Sequence, residues 1–204
     1  MATQIKHVAI ISDHYALDAR FYGAIFGMKA APSARPDRGA VIGDGYVGMN
    51  INPRKAGRHA GLDHFGLEVD DIESACTRIR EKYPAIGLRK SPGDRPFAAV
   101  STHDPAGNLF DLSQRGLENR AEVYAQAPTQ HNRYISHFAL RALNIESAAQ
   151  FYLDVFDLKP TEKPPGDPNF YLADGRVTLV LMPRRIGDYQ GTGIPRPGPG
   201  PSRF

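Results

Sequence analysis

The 204-residue sequence predicts an α+β fold in which repeated βαβββ modules form a cupped mixed sheet. Residues 5–53 align without a gap to residues 135–183, with about a quarter of the positions identical, which is typical of a duplicated structural unit. Residues 62–114 repeat the same order of strands and helix in a more divergent form. The chain is therefore expected to contain three modules, the third without a partner module.

Each module begins with a strand that leads into a helix. The first strands are IKHVAI (5–10), LDHFGLEV (62–69) and ISHFAL (135–140). After each strand, apolar residues recur at helical spacing, and each such stripe is expected to lie on a sheet. The stripes comprise Leu17, Phe21, Ala24, Ile25 and Met28 in module one, Ile72, Ala75 and Ile79 after the N-cap Asp71 in module two, and Ile145, Ala149, Tyr152 and Phe156 in module three.

The remaining strands complete each module and set its limits. The hairpin strands GDGYVGMNINP (43–53) and ADGRVTLVLMP (173–183) correspond to each other, and module two ends in PFAAVSTH, the turn DPAGN and the strand NLFDLSQ. We therefore divide the chain into four parts. These are two paired modules (1–114), a linker (115–132), a third module (133–190) and a Pro/Gly-rich tail or truncated start of a fourth module (191–204).

Composition excludes several classes of partner. The 25 basic and 22 acidic residues are interspersed and form no basic stripe, so nucleic acid is not expected to bind. No apolar run approaches the roughly 18 residues of a membrane span, and the N-terminus lacks the pattern of a signal peptide. The single cysteine, Cys76, fits a reducing compartment, so we expect a cytoplasmic protein.

The strand LDHFGLEV and the later run DPAGNLFDL resemble the vicinal oxygen chelate superfamily, which includes glyoxalases, bleomycin resistance proteins and extradiol dioxygenases. The resemblance covers residues 5–114 and, as a repeat, 134–183. It implies that two modules pair into a cup around a divalent metal ion, with ligands from the first and last strand of each module. Those positions are occupied here by His7, Asn50, His64 and Asp111.

Strand alternation supports the same placement, because residues two apart share a face. The three-residue sets that are expected to share faces are Ile5, His7 and Ala9; Leu62, His64 and Gly66; and Leu109, Asp111 and Ser113. In the strand at 47–52, Val47, Met49 and Ile51 are expected to face the helix, and Gly48, Asn50 and Asn52 the cup. Two imidazoles and one carboxylate are the set that non-haem Fe(II) uses, so Fe(II) or Mn(II) is favoured at His7, His64 and Asp111, with Ni(II), Zn(II) or Co(II) as alternatives.

Further side chains are candidates for a site in the cup. We expect catalytic roles for His103 and Asn50, and substrate-binding roles for Asn52, Tyr46, Phe97 and Ser101. Tyr46 and Phe97 are equally well explained as core residues, and each metal ligand has a hydrogen-bonded structural role as its alternative. His137 aligns with His7, but Val180 replaces Asn50, so His137 is interpreted as a remnant of the duplication.

The resemblance leaves three functions open for a small-molecule substrate. The three-ligand set ranks an extradiol-type ring-cleaving dioxygenase acting on a small catechol-like substrate first. A glyoxalase-like lyase or isomerase would need a carboxylate base where Asn50 stands, and a non-catalytic drug-binding or resistance protein would use the cup without metal chemistry. The unpaired module three, with Thr178, Val180 and Met182 on its inner sheet face, predicts a homodimer.

Overall fold

The computed structural model describes residues 2–31, 39–93, 97–117 and 133–185 and contains three consecutive βαβββ units, which confirms the predicted fold class. Most of the predicted linker, residues 118–132, and the predicted tail, residues 191–204, lie outside the described residues.

Module one comprises β1 (Thr3–Ser12), α1 (Tyr15–Phe26), β2 (Lys29–Ala30), β3 (Ala40–Gly43) and β4 (Gly48–Pro53). Module two comprises β5 (Gly61–Val69), α2 (Ile72–Lys82), β6 (Arg89–Lys90), β7 (Val100–His103) and β8 (Leu109–Gln114). Module three comprises β9 (His137–Ala142), α3 (Ile145–Phe156), β10 (Lys159–Pro160), β11 (Phe170–Ala173) and β12 (Thr178–Pro183).

Modules one and two join edge to edge into an eight-stranded sheet of order β2-β3-β4-β1-β5-β8-β7-β6. The central strands β1 and β5 are antiparallel, and each also pairs in parallel with the last strand of its own module. Module three forms a four-stranded sheet of order β10-β11-β12-β9. Thr178 lies opposite His137 just as Gly48 lies opposite His7, so the sequence repeat is also a repeat of strand register.

Local sequence explains where the helices begin and end. The predicted N-cap Asp71 accepts a hydrogen bond from the Glu73 amide at 3.0 Å, and Asn144 caps α3 through the Ser147 amide at 2.8 Å. The C-cap of helix α1 is Gly27, whose φ of 68° lies in the left-handed region that favours glycine. Each of these three helices has 11 or 12 residues. No helix in the described parts of the chain is long and apolar enough to cross a membrane.

An aromatic cluster packs module three against module two. Phe65 of β5 and Phe110 of β8 lie on the helix-covered face of the large sheet, and the rings of Phe151, Tyr152 and Phe156 from α3 pack on them with centroids 5.6–6.2 Å apart. All five side chains are fully buried. Because burying one such side chain is worth about 1.5–3 kcal/mol, this cluster is a main source of stability between the modules.

A buried carboxylate beneath this cluster connects module three to the DPAGN turn. Asp104 is fully buried and accepts hydrogen bonds from the amides of Ala106 and Asn108, each at 2.9 Å. The Tyr152 hydroxyl donates to the same carboxylate at 3.0 Å. Burial and the Asp104 charge raise the pKa of Tyr152 well above its ordinary value, so the phenol stays protonated as the donor.

Most of the apolar stripe predicted for α1 does not lie on the sheet. The prediction was wrong for Leu17, Phe21, Ala24 and Ile25, whereas Met28, just after the helix, is buried as expected. Leu17, Phe21 and Ile25 are 64%, 52% and 48% exposed. The sheet is instead contacted by Tyr15, Ala19 and Tyr22, which pack against a small cluster of Met28, Ile42, Met49 and Ile51. The predicted stripes of α2 and α3 are buried.

Modules one and three are joined by reciprocal hydrogen bonds that follow the repeat. The Asp44 carboxylate accepts from the Ile135 amide at 2.7 Å, and Asp174, the equivalent residue of module three, accepts from the Ile5 amide at 2.6 Å. Each of these aspartates also accepts two amide hydrogen bonds within its own hairpin turn. Because each contact repeats with the modules exchanged, the two modules are related by a local twofold axis.

The inner face of the module-three sheet is only partly open. Ala139 on β9 is exposed, but Val180 on β12, which was expected to lack cover, is only 8% exposed. Thr178 and Met182 are half-buried. The expectation of an uncovered apolar patch on this face was therefore wrong at Val180.

Candidate metal centre

His7 of β1, His64 of β5 and Asp111 of β8 meet on the face of the large sheet opposite the helices. The Nε2 atom of His64 lies 3.3 Å from Nε2 of His7 and 3.3 Å from Oδ2 of Asp111. One ligand atom from each residue can be chosen so that all three lie within 4.8 Å of one another. His7 and Asp111 are 1% and 2% exposed, whereas the His64 side chain is 12% exposed, so the group is buried except at His64.

Two irregularities in the β1–β5 ladder orient the histidines. The register shifts once between Ile5 and His7, at Lys6, and once opposite Ala9 and Ile10, at Asp63. In each case the extra residue directly precedes a histidine. Bulges are common beside functional sites because they redirect a side chain.

The bulges correct two of the predicted faces. Ile5 pairs with Leu67 in the core, so it does not share the face of His7, and Leu62 pairs with Ile10 on the side opposite His64. The strands without bulges follow the predicted alternation. On β4, Met49 and Ile51 face the helix side.

Two glycines lie beside the predicted ligands. Directly paired residues project to the same side of a sheet, and His7 is paired with Gly48 on one side and Gly66 on the other. Gly66 is in turn paired with Asp111. Neither glycine has a side chain beside the imidazole or the carboxylate, and the space next to Gly66 is taken by the ring of Phe97.

Asp111 is oriented by a hydroxyl on the neighbouring strand. Ser101 of β7 pairs directly with Asp111 and donates to its Oδ1 at 2.5 Å. The Ser91 hydroxyl lies 3.1 Å from that of Ser101 and extends this chain of hydrogen bonds. With Oδ1 engaged, Oδ2 is the oxygen that faces His64.

A second carboxylate, that of Asp63, is hydrogen-bonded to the outer nitrogen of His64, and it was not predicted from the sequence. Nδ1 of His64 donates to Oδ2 of Asp63 at 2.8 Å, and Arg58 binds the other oxygen of the same carboxylate. A carboxylate on the outer nitrogen of a metal-binding histidine fixes the ring and its tautomer. The Asp-His pair in LDHF was the available signal, but strict alternation would have pointed Asp63 away from the site.

Electrostatics of the metal-free site favour a charged His64. Burial disfavours the imidazolium, but hydrogen bonds and charge from Asp111 and Asp63 outweigh it and raise the pKa of His64 to about 8. The hydrogen bond from His64 lowers the pKa of Asp63. An imidazolium between two carboxylates occupies a site of net negative charge, which is also suited to a cation.

The residues fit a divalent transition metal. Two imidazole nitrogens and one carboxylate oxygen, with a supporting carboxylate behind one histidine, match the donor set of non-haem iron and manganese sites. Within the described ranges, His7, His64 and Asp111 are the one group of three or more His, Cys, Asp or Glu side chains that could hold an ion. His137, at the equivalent position of module three, is exposed and contacts Ser136 at 3.0 Å.

The structure places the other predicted site residues in different surroundings. Asn50 is paired with Ala9, which is also paired with His64, so Asn50 lies on the same face. Asn52 follows two residues further along β4, and His103 shares the face of Ser101 near the exposed Leu109.

Tyr46 lies away from this group. Its hydroxyl donates to Asp174 at 2.9 Å, and Lys6 and Arg176 lie over its ring, at the junction of modules one and three. Burial and the adjacent Asp174 raise its pKa above the ordinary range. Phe97 lies beside His7 and is fully buried.

Comparison with known proteins identifies the class that this fold and site define. The family model of the Glyoxalase/Bleomycin resistance protein/Dioxygenase superfamily matches residues 4–112, which is more than half of the chain, so the protein belongs to this superfamily. No curated protein matches the sequence.

Solved structures show the same fold at low sequence identity. The Mn(II)-bound glyoxalase from Novosphingobium aromaticivorans is 17% identical, with a TM-score of 0.68 over 89% of this chain, and this chain spans 62% of its length. The 2,3-dioxygenase LapB from Pseudomonas sp. KL28 is 18% identical, with a TM-score of 0.64, 89% of this chain and 71% of that chain covered. The 2,2',3-trihydroxybiphenyl 1,2-dioxygenase from Sphingomonas wittichii RW1 is 15% identical, with a TM-score of 0.63 and coverage of 89% and 68%.

Proposed function

We propose that this protein is a metal-dependent, extradiol-type dioxygenase that cleaves the ring of a small catechol-like substrate. The observation that carries the proposal is the set of His7, His64 and Asp111, whose ligand atoms converge within 4.8 Å. Two histidines and one carboxylate hold non-haem Fe(II) while leaving coordination positions open. Similarity to structures described as dioxygenases supports the same activity.

Fe(II) or Mn(II) is the favoured ion, and it would supply Lewis acidity and open positions for two vicinal oxygens of a substrate. The protein side of the site fixes the ligands. Asp63 accepts a hydrogen bond from Nδ1 of His64, which leaves Nε2 as the nitrogen that would bind the metal. Ser101 orients the carboxylate of Asp111. The site is therefore organised before any substrate enters.

His103 and Asn50 are the proposed catalytic residues around these ligands. Both lie on the ligand-bearing face, on strands on opposite sides of the central pair. The His103 imidazole would exchange a proton with a substrate hydroxyl, and the Asn50 amide would orient the substrate by hydrogen bonding. Asn52 is proposed to contact the substrate from β4.

Oxygen consumption tests the proposal directly. Protein loaded with Fe(II) or Mn(II) should take up O₂ in the presence of catechol or 4-methylcatechol and release a yellow ring-opened product. Chelator-treated protein should do neither until the metal is restored. Loaded protein that takes up no O₂ with a series of catechols would contradict the assignment.

A glyoxalase-like lyase or isomerase is the second candidate, because the Mn(II)-bound glyoxalase superposes with a TM-score of 0.68. Such an enzyme should convert a hemithioacetal without O₂, with Ni(II), Co(II) or Zn(II) bound. Asn50 cannot act as the carboxylate base of that reaction. If the lyase activity is found, Asn50→Glu should increase it.

A further inference from the structure

Phe97 has an unusual backbone conformation and packs directly on a proposed metal ligand. Its φ is 73°, in the left-handed region that favours glycine, and the side chain is 1% exposed. The ring stacks on the His7 imidazole with centroids 4.9 Å apart and planes inclined by 20°. A bulky residue in this region is uncommon, and such strain concentrates at functional sites.

Gly66 makes room for this ring. A Cβ atom at Gly66 would lie 2.2 Å from Cε1 of Phe97 and 2.9 Å from Cβ of His7. Gly66 is the residue paired with both His7 and Asp111, so the aromatic ring covers the sheet between these two ligands. One glycine and one strained phenylalanine therefore together form an apolar wall on one side of the site.

We propose that Phe97 is a positioning residue that fixes the plane of the His7 imidazole, a role that rests on the proposed metal site. The terminal torsion of histidine has broad minima, so stacking is needed to restrict the ring to the orientation in which Nε2 faces His64. The same ring keeps water from that side of the ligands, and the apolar shell of a metal site controls solvent access. The strained backbone is retained because this conformation brings the ring over Gly66.

Metal affinity of matched variants tests the role. Phe97→Leu keeps an apolar side chain but removes the planar ring, so its Mn(II) affinity, measured by calorimetric titration of the full chain, should fall roughly tenfold or more. The visible spectrum of the Co(II)-loaded variant should also change. Phe151→Leu, a fully buried phenylalanine on α3, is the control and should lower thermal stability without changing either readout. Phe97→Tyr, which keeps the ring, should restore the affinity that Phe97→Leu loses.

Two further variants separate the ring from the backbone. Phe97→Gly relieves the left-handed conformation but has no ring, and Gly66→Ala displaces the ring without changing Phe97. Both should weaken Mn(II) binding. Wild-type affinity in Phe97→Leu and Phe97→Gly would overturn the proposal.

A measurement on metal-free protein distinguishes failure of this role from failure of the metal site. The stacked ring should shift the His7 ring-proton NMR signals upfield, and this shift should disappear in Phe97→Leu but remain in Phe151→Leu. If the wild-type chain binds no Mn(II), the proposed function fails, and the His7 signals still decide the role of Phe97. Unchanged His7 signals in Phe97→Leu would refute it.

Discussion

His7 and His64, two of the three proposed ligands, should each be necessary for metal binding. Replacing His7 or His64 with alanine removes a direct ligand, so the loss of Mn(II) affinity should exceed the roughly 10–100-fold cost of changing a group behind a ligand. Metal content after desalting measures the effect. His137→Ala, which removes the exposed equivalent of His7 in module three, is the matched control and should retain the wild-type content. Stoichiometric metal in both ligand variants would place the site elsewhere.

Asp63 should contribute through His64 without binding the metal itself. Asp63→Asn keeps the size of the side chain but weakens its hydrogen bond to Nδ1 of His64, so Mn(II) affinity should fall by about 10–100-fold. The Asp13 carboxylate forms an exposed ion pair with Arg54, and Asp13→Asn should leave the affinity unchanged. Equal titration curves for the two variants would show that Asp63 has no such role.

Stability of the metal-free protein should depend on pH through His64. Its folded-state pKa of about 8 lies above the ordinary value of 6.5. The stabilisation is therefore fully present below pH 6.5 and is lost as the pH rises through 8. The free energy of unfolding by urea should fall by about 2 kcal/mol between pH 6 and pH 9, and His64→Gln should flatten this slope.

The stabilisation of the folded protein by bound Mn(II) should depend on pH in the opposite direction, as measured by the same urea unfolding experiment. A metal ligand must be a neutral imidazole, so the stabilisation by Mn(II) should grow as the pH rises. A metal-free slope that is absent or reversed would show that His64 is not held protonated by its two carboxylates.

Sequence could predict that His7, His64 and Asp111 come together, but not how their side chains are oriented. The repeat and the resemblance led to His7, His64 and Asp111, since their strands occupy equivalent places in the modules. The bulges at Lys6 and Asp63 could not be predicted, because each inserts one residue into a strand whose composition still reads as regular alternation. The contacts of Phe97 with His7 and Gly66 depend on a loop that no periodicity describes.

At the scale of elements, α1 and α3 show why similar sequences acquire different environments. The two helices share Phe21/Phe151 and Phe26/Phe156 at equivalent positions, and an apolar stripe of each helix was predicted to lie on a sheet. Phe151 is fully buried against module two, whereas Phe21 is 52% exposed. A helical stripe specifies that a face is apolar, but the partner of that face is decided by tertiary packing.

Equivalent substitutions on the two helices should therefore have unequal costs. Phe151→Ala removes a ring from the aromatic cluster and should lower the free energy of unfolding by about 3–5 kcal/mol. Phe21→Ala, at the equivalent position of α1, should change it by less than about 1 kcal/mol, because half of the side chain already contacts solvent. Chemical denaturation of both variants measures the difference, and similar losses would mean that α1 is also buried in solution.

At the scale of the whole molecule, polar contacts specify how the third module sits on the other two. Asp44 and Asp174 exchange hydrogen bonds between modules one and three, and Asp104 connects the end of module two to Tyr152 of α3. These carboxylates are separated in sequence from their partners by 48 to 169 residues. The hairpin turns that contain Asp44 and Asp174 were predictable, but their contacts across the modules required the structure.

A homodimer remains our expectation, with its contact surface moved to α1. The module-three face that first suggested it is partly closed at Val180, whereas Leu17, Phe21 and Ile25 form a row on α1 whose members are each at least 48% exposed. On α3, the equivalents of Phe21 and Ile25 are buried within the chain, and a self-complementary helix face can close around a twofold axis. Sedimentation at micromolar concentration should give about twice the chain mass of 22.4 kDa. Phe21→Asp should yield a folded monomer, whereas Ala139→Asp on the module-three face should not. If only Ala139→Asp abolishes the dimer, its contact surface lies on module three after all. A wild-type chain that sediments as a monomer would refute the dimer.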